Sequence, residues 1–193
     1  MSTVQAKLPV SFDVSLLQSD LAVLEAGEWI EHFVTQNYQG EWSVVPLRGP
    51  ADANHPVRMI YSDPSCTEFS DTPFLDKCQY FKAVLSWFQC PLQAVRLMKL
   101  SAGSYIKEHR DHDLSLEEGM ARLHIPIITN HQVYFRLNQH RVVMNEGECW
   151  YLRLSDPHSV ANKGSIDRVH MVIDAEVNEW LLGKLSFDSQ VIV

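Results

Sequence analysis

From Gln93 to Asp174 the chain breaks into short segments of strand character with turn signals every eight to twelve residues, and this rhythm constrains the fold most. The segments are 93–100, 104–109, 121–128, 132–138, 141–144, 148–153, 158–161 and 167–174, with tight turns at Asn145-Glu-Gly-Glu148 and Asn162-Lys-Gly-Ser165. So many short strands joined by tight turns predict a mainly β architecture, an antiparallel sandwich or barrel.

Upstream the pattern is helical. Asp13 is a candidate N-cap, with Leu16, Leu17, Leu21 and Leu24 at helical spacing and Gly27 as the stop. A second helix is expected from Asp71-Thr72-Pro73 to Cys90, with Phe74, Cys78, Phe81, Leu85 and Phe88 on one face. Trp42 to Arg48 reads as a strand and Val57 to Tyr61 as a short strand, with loops over 50–56 and 62–72. A closing helix is expected over Val177 to Leu185. With 193 residues, 46% of them apolar, one domain is the expectation, a portion spanning about 10–92 packing on a β core of about 93–176.

A formal net charge of −8 and the lack of a Lys/Arg cluster argue against nucleic acid or an anionic membrane surface as partner. Met1 to Val10 holds no continuous apolar run, and no later stretch approaches the length of a membrane span, so a cytoplasmic protein is expected. Cys66, Cys78, Cys90 and Cys149 lack zinc-ribbon or Cys-x-x-Cys spacing and are expected to be reduced and mostly buried. A small polar substrate suits this composition better than a macromolecule.

The chemistry begins at His109 and Asp111. In an extended chain residues two apart point the same way, so this pair can close on one metal ion. A histidine from elsewhere would complete three ligands, and His158, at the start of a late strand after Ser155-Asp156-Pro157, is the candidate. Two imidazoles and a carboxylate with the opposite positions open suit non-haem iron(II). His112 alternates away from His109, and Asp113 competes weakly with Asp111. His32, His55, His131 and His140 read as surface or capping residues.

Alternation also puts Arg122 with His124 on the face opposite Leu123, Ile125 and Ile127, and Arg168 with His170 opposite Val169, Met171 and Ile173. These faces look either at water or into a barrel. In a barrel their charge needs a partner, and a dicarboxylate would supply it. Arg168 is then the candidate to clamp one end of a small diacid through its planar fork.

With these residues in place the sequence resembles the aspartyl/asparaginyl β-hydroxylase family of iron(II)/2-oxoglutarate dioxygenases, and within it the bacterial branch that includes proline hydroxylases. The resemblance runs from about Phe12 to Asp174. It rests on Val95-Arg-Leu-Met-Lys-Leu-Ser-Ala-Gly-Ser-Tyr-Ile-Lys-Glu-His109-Arg-Asp111, Arg122-Leu-His124-Ile-Pro, Pro157-His158-Ser-Val-Ala-Asn and Arg168-Val-His-Met-Val-Ile-Asp. It implies a double-stranded β-helix, or jelly-roll, core and an Fe(II) site of His109, Asp111 and His158. It further implies 2-oxoglutarate held at its distal carboxylate by Arg168, with Arg122 and His124 also on the co-substrate side. Asp111 is present where the animal protein hydroxylase lacks a carboxylate, which favours the small-molecule branch. The implied activity is hydroxylation, with O₂, of an unactivated C–H bond of a free amino acid or an Asp/Asn-type residue in a peptide, with succinate and CO₂ as co-products. Arg48, Arg58, Arg96 and Arg122 are all candidates for a substrate carboxylate, and His124 or His170 for orienting one. Two rivals remain open: a metal-binding, cupin-like isomerase or ligand sensor without oxygenase activity, and a non-catalytic interaction domain.

Overall fold

The structure is a computed structural model that describes residues 3–24, 26–60 and 66–185. Its elements are β1 (Gln5–Ser11), α1 (Val14–Val23), β2 (Ile30–Glu31), β3 (Tyr38–Gln39), β4 (Trp42–Pro50), α2 (Pro56–Ile60), β5 (Phe69–Asp71), α3 (Pro73–Asp76) and α4 (Gln79–Ser86). They continue with β6 (Leu92–Leu100), β7 (Tyr105–His109), β8 (Met120–Ile128), β9 (Val133–Leu137), β10 (His140–Val142), β11 (Glu148–Leu152), β12 (His158–Asn162), β13 (Arg168–Glu176) and α5 (Glu179–Leu185). The larger sheet has the order β1-β11-β8-β13-β6-β4-β2 with β5 on β4, and the smaller has β10-β9-β12-β7-β3. Every pairing among the described strands is antiparallel. This is the mainly β jelly roll that the strand rhythm and the family resemblance lead one to expect.

Strand alternation divides the apolar residues between two cores. Leu123, Ile125, Ile127, Met171 and Ile173 join Leu17 of α1, Phe81 and Val84 of α4 and Leu181 of α5 in one cluster, so the helices cover the outer face of the larger sheet. A second cluster, with Ile106, Phe135, Leu137 and Val160 of the smaller sheet against Leu100 and Leu152 of the larger, lies between the sheets. Arg122, His124, Arg168 and His170 alternate with the outer-core residues, so their face looks into the sandwich. His124, Arg168 and His170 are at most 4% exposed. The reading that sent these faces to water is therefore excluded.

The N-terminal portion does more than cover the core, because β1 and β4 are themselves strands of the larger sheet. β1 was not expected from the sequence; it is held as an edge strand by pairing with β11. Asp13 caps α1 as expected, its carboxylate accepting from Leu16 N–H at 3.1 Å, but the helix stops at Val23, before Gly27.

Several local expectations need correction. Val57 to Ile60 is helical, not a strand: Pro56 pre-sets the first turn, and the His55 carbonyl accepts from Arg58 and Met59 N–H at 2.9 and 3.2 Å. Tyr61, the end of that expected strand, lies outside the described residues, as do 62–65 of the expected loop, whose far end forms β5. The single helix expected up to Cys90 is two, α3 and α4, broken at Lys77 and Cys78. Thr72 precedes the first of them, but its hydroxyl donates to Pro46 O at 2.7 Å and does not cap. The closing helix begins two residues late, where Asn178 accepts from Leu181 N–H at 3.0 Å as its cap.

Candidate active site

Strand register brings the proposed ligands together. β12 pairs with β7 so that His158 stands directly opposite His109, with ring centroids 4.2 Å apart. Asp111 lies just beyond β7, where its N–H donates to Leu154 O at 2.9 Å and ties the chain to the segment that leads from β11 to β12. His109 Nε2 is 3.6 Å from Asp111 Oδ1, and His158 Nε2 is 3.9 Å from Asp111 Oδ2. One ligand atom from each residue lies within 4.8 Å of the other two.

Each imidazole is oriented by its own backbone. Nδ1 of His109 donates to Lys107 O at 2.8 Å and Nδ1 of His158 to Asp156 O at 3.0 Å, which puts the proton on Nδ1 and leaves the Nε2 lone pair open in both rings. Burial holds His158 neutral by pushing its pKa down. These donors fit a divalent first-row ion: two neutral imidazoles and a carboxylate on one side, with the cavity on the other.

Asp111 is held in turn by a chain of charges. Arg122 Nη1 donates to Asp111 Oδ2 at 2.6 Å, while its Nε and Nη2 donate to Asp174 at 2.6 and 2.9 Å. Arg96 Nη1 donates to Asp174 Oδ2 at 3.0 Å. Asp174 and Arg122 are opposite each other in the β13–β8 register, so the sheet itself forms the pair. Burial alone would raise the Asp174 carboxyl, but Arg122 and Arg96 outweigh it and hold it at about 2. With Oδ2 of Asp111 taken by Arg122, Oδ1 is the oxygen left for a metal.

Arg168 has no such neutralisation. It is 2% exposed, its Nη2 donates to Nδ1 of His170 at 2.8 Å, and its Nε has no partner among the described residues. Burial, with no carboxylate among the described residues to offset it, pushes the guanidinium down to about 9. Because His170 Nδ1 accepts, its proton sits on Nε2, which is also buried without a partner. Both nitrogens of His124 are in the same condition, and its ring centroid is 5.8 Å from that of His170. Burial drives both imidazoles far below the ordinary histidine range. A buried cation amid unmet polar atoms is costly unless an anion occupies the site. Arg168, His124, Arg122 and the three ligand residues line one cavity of about 610 Å³.

A family model described as Aspartyl/Asparaginyl beta-hydroxylase matches residues 13–177. The chain belongs to the aspartyl/asparaginyl β-hydroxylase family. L-proline cis-4-hydroxylase of Rhizobium meliloti (strain 1021) is 27% identical over 174 residues, which is 89% of this chain and 60% of that protein. The chain thus spans about 60% of the length of this curated relative. Among solved structures, a 2OG-Fe(II) oxygenase family oxidoreductase from Burkholderia pseudomallei has a TM-score of 0.56 at 13% identity, covering 90% of this chain and 84% of its own. A Pseudomonas putida prolyl-4-hydroxylase gives 0.54 at 13% identity, covering 91% and 94%. At these identities the structural likeness speaks for the fold.

In this hydroxylase-family chain the sequence pattern led to each of the residues that meet in the cavity's polar end: His109, Asp111, His158, Arg122, His124 and Arg168. Arg122 is engaged with Asp111 and Asp174, so its fork is turned to carboxylates of the protein. Arg48 and Arg58, weighed for a substrate carboxylate, instead pair with Asp71 and Asp52 outside the cavity lining. Asp174 escaped notice, although it continues the alternation Arg168, His170, Val172 and so belonged on the inner face. His32, read as a surface residue, also lines the cavity, stacked on Trp42 with ring centroids 3.6 Å apart. No spacing in the sequence signals that contact. His112 and Asp113 line the rim, while His55, His131 and His140 lie away from the cavity.

All four cysteines are free, with Cys78, Cys90 and Cys149 buried. No helix among the described residues is long and apolar enough to cross a membrane.

Proposed function

We propose that this protein is an iron(II)- and 2-oxoglutarate-dependent dioxygenase that hydroxylates an unactivated C–H bond of a free amino acid. The observation that carries this reading is the pairing, in one cavity, of a two-histidine, one-carboxylate cluster with a buried arginine that has no counter-charge among the described residues. His109, Asp111 and His158 would hold the iron through two Nε2 atoms and one carboxylate oxygen. Bound there, iron(II) with a 2-oxo acid supplies the oxidative chemistry: O₂ converts 2-oxoglutarate to succinate and CO₂, and one oxygen atom enters the C–H bond.

The chain's own residues provide orientation and dryness. Arg168 neutralises the distal carboxylate, and the direction of its fork is set by His170. His124, neutral and with both nitrogens unmet, is placed to hydrogen-bond a co-substrate oxygen. Arg122 keeps Asp111 from rotating and so maintains one carboxylate oxygen toward the ion. Phe135 stacks parallel to His158 at 6.2 Å and helps keep water from that side. A cupin-like isomerase or sensor would need the histidines but has no use for the buried charge of Arg168.

The test is a screen of free L-amino acids, with Asp- and Asn-containing peptides beside them, for succinate formation with added Fe(II), 2-oxoglutarate and O₂. A free amino acid that stimulates succinate and gains one hydroxyl is the expected result. Stimulation by peptides alone would move the substrate to a protein side chain, and stimulation by neither would overturn the reading.

A further inference from the structure

Two strands from Arg168, in the same row of the larger sheet through Leu100, the cavity wall is built on a stack of flat rings. His32 lies on Trp42 at 3.6 Å between centroids and 4° between planes, and Phe33 lies over His32 at 5.0 Å and 11°. Tyr38 meets both His32 and Trp42 edge-on, at 6.4 and 5.7 Å. The backbone closes the arrangement, because His32 N–H donates to Trp42 O at 2.8 Å. The His32 ring therefore cannot turn without breaking the stack.

The tautomer of His32 follows from one contact. Val34 N–H donates to its Nδ1 at 3.3 Å, so the ring proton is on Nε2. That Nε2–H, on a half-buried ring, has no protein acceptor among the described residues, and the indole N–H of Trp42 is buried without one. Desolvation, with Arg96 nearby, pushes His32 down to about 4, so the ring is a neutral donor at working pH. Asp111, His109 and Arg122 also act on its charge, which places the ring within electrostatic reach of the ligand cluster.

The charges of the cavity decide what such a donor would meet. Among the described residues of the lining, Arg96 and Arg122 are offset by Asp174 and Asp111, and Arg110 is matched in number by Asp113, which leaves Arg168. With Arg168 paired to the distal carboxylate, a divalent ion and the remaining carboxylate of the oxo acid would leave the loaded cavity one positive charge in excess. A further carboxylate is the ligand group that this field favours.

We propose that His32 binds the substrate's carboxylate through Nε2–H, selects a carboxylate-bearing amino acid, and sets how far its hydrocarbon body reaches along Trp42 and Val44 toward His109, Asp111 and His158. This rests on the oxygenase reading above, and the screen there tests that reading by itself: if neither amino acids nor peptides stimulate succinate, it is the oxygenase that fails, before His32 is in question.

The experiment compares an amino acid with its primary amide, using L-proline and L-prolinamide or the matching pair for whichever amino acid the screen selects. Wild type, His32→Phe and His32→Gln are assayed for KM and kcat. Wild type prefers the acid. His32→Phe keeps a flat ring on Trp42 but loses the donor, so its KM for the acid rises roughly ten- to hundredfold, the scale of a hydrogen bond to a charged group. Its KM for the amide moves less than threefold, kcat falls less than KM rises, and the preference for the acid disappears. His32→Gln, which retains an N–H, recovers part of that preference. An acid preference unchanged in His32→Phe, or an equal rise of KM for acid and amide, overturns the proposal. A measurement on wild type guards against misfolding of the variants: with Zn(II) and 2-oxoglutarate bound, adding the acid shifts the His32 Nε2–H proton resonance downfield. No shift at saturating acid would equally overturn it.

Discussion

Arg168 is the residue whose environment is hardest to explain as structure alone. A guanidinium held at about 9 by burial, against 12.5 when free, weakens the folded state throughout the range in which it stays charged. Arg168→Met should therefore stabilise the ligand-free protein by roughly 1–4 kcal/mol, as replacement of a buried charge by an apolar side chain often does. The same substitution should abolish the stabilisation that 2-oxoglutarate gives the metal-loaded wild type. Urea denaturation with and without 2-oxoglutarate checks both parts, and a variant less stable than wild type in the absence of ligand would contradict the first. Arg168 was legible in the sequence because strand alternation and its place after His158 converge on it. His32 was not, because what gives it a role is a ring contact with Trp42 across a turn, and neither periodicity nor spacing reports that.

The β8–β13 pair turns a sequence alternation into a device for holding Asp111. Its register puts Asp174 opposite Arg122, and the arginine's remaining nitrogen reaches the ligand carboxylate at 2.6 Å. Asp174→Asn should loosen that grip and lower metal affinity ten- to hundredfold, the usual effect of losing a residue that orients a ligand. Titration of Mn(II) followed by EPR measures it; affinity equal to wild type would show that Asp111 needs no such support. The substitution should also cost about 3–5 kcal/mol in stability by leaving buried arginine charge uncompensated. Elements with a strong period, such as β6, β8 and β13, could be placed from sequence within a residue or two. Those that escaped, β1 and α2, take their form from a neighbour: β1 from the open edge of β11, and α2 from Pro56 and the His55 carbonyl, which override the β preference of Val57 and Ile60.

For the molecule as a whole, the inner face of the jelly roll is more polar than a stable core requires. His124 and His170 stay neutral when folded and gain protons when unfolded, since burial puts both far below the ordinary histidine range. Their contribution is intact above the unfolded pKa of about 6.5 and is lost as the pH falls below it, with a slope of about 1.4 kcal/mol per pH unit for each. The metal-free protein should therefore lose stability steeply between pH 6.5 and 5, as seen in the urea midpoint, and a flat profile would show that these rings ionise within the fold. Asp174 acts in the opposite pH range: held at about 2, it supports the fold above about pH 4 and gives that support up as the pH approaches 2. The account's central claim is that His109, Asp111 and His158 share one ferrous ion. The direct measurement is the iron content of protein reconstituted and desalted without oxygen, for wild type and for His109→Ala/His158→Ala. Close to one iron per wild-type chain and almost none in the double variant is the predicted result; no stoichiometric iron in wild type, or equal iron in both, would contradict it.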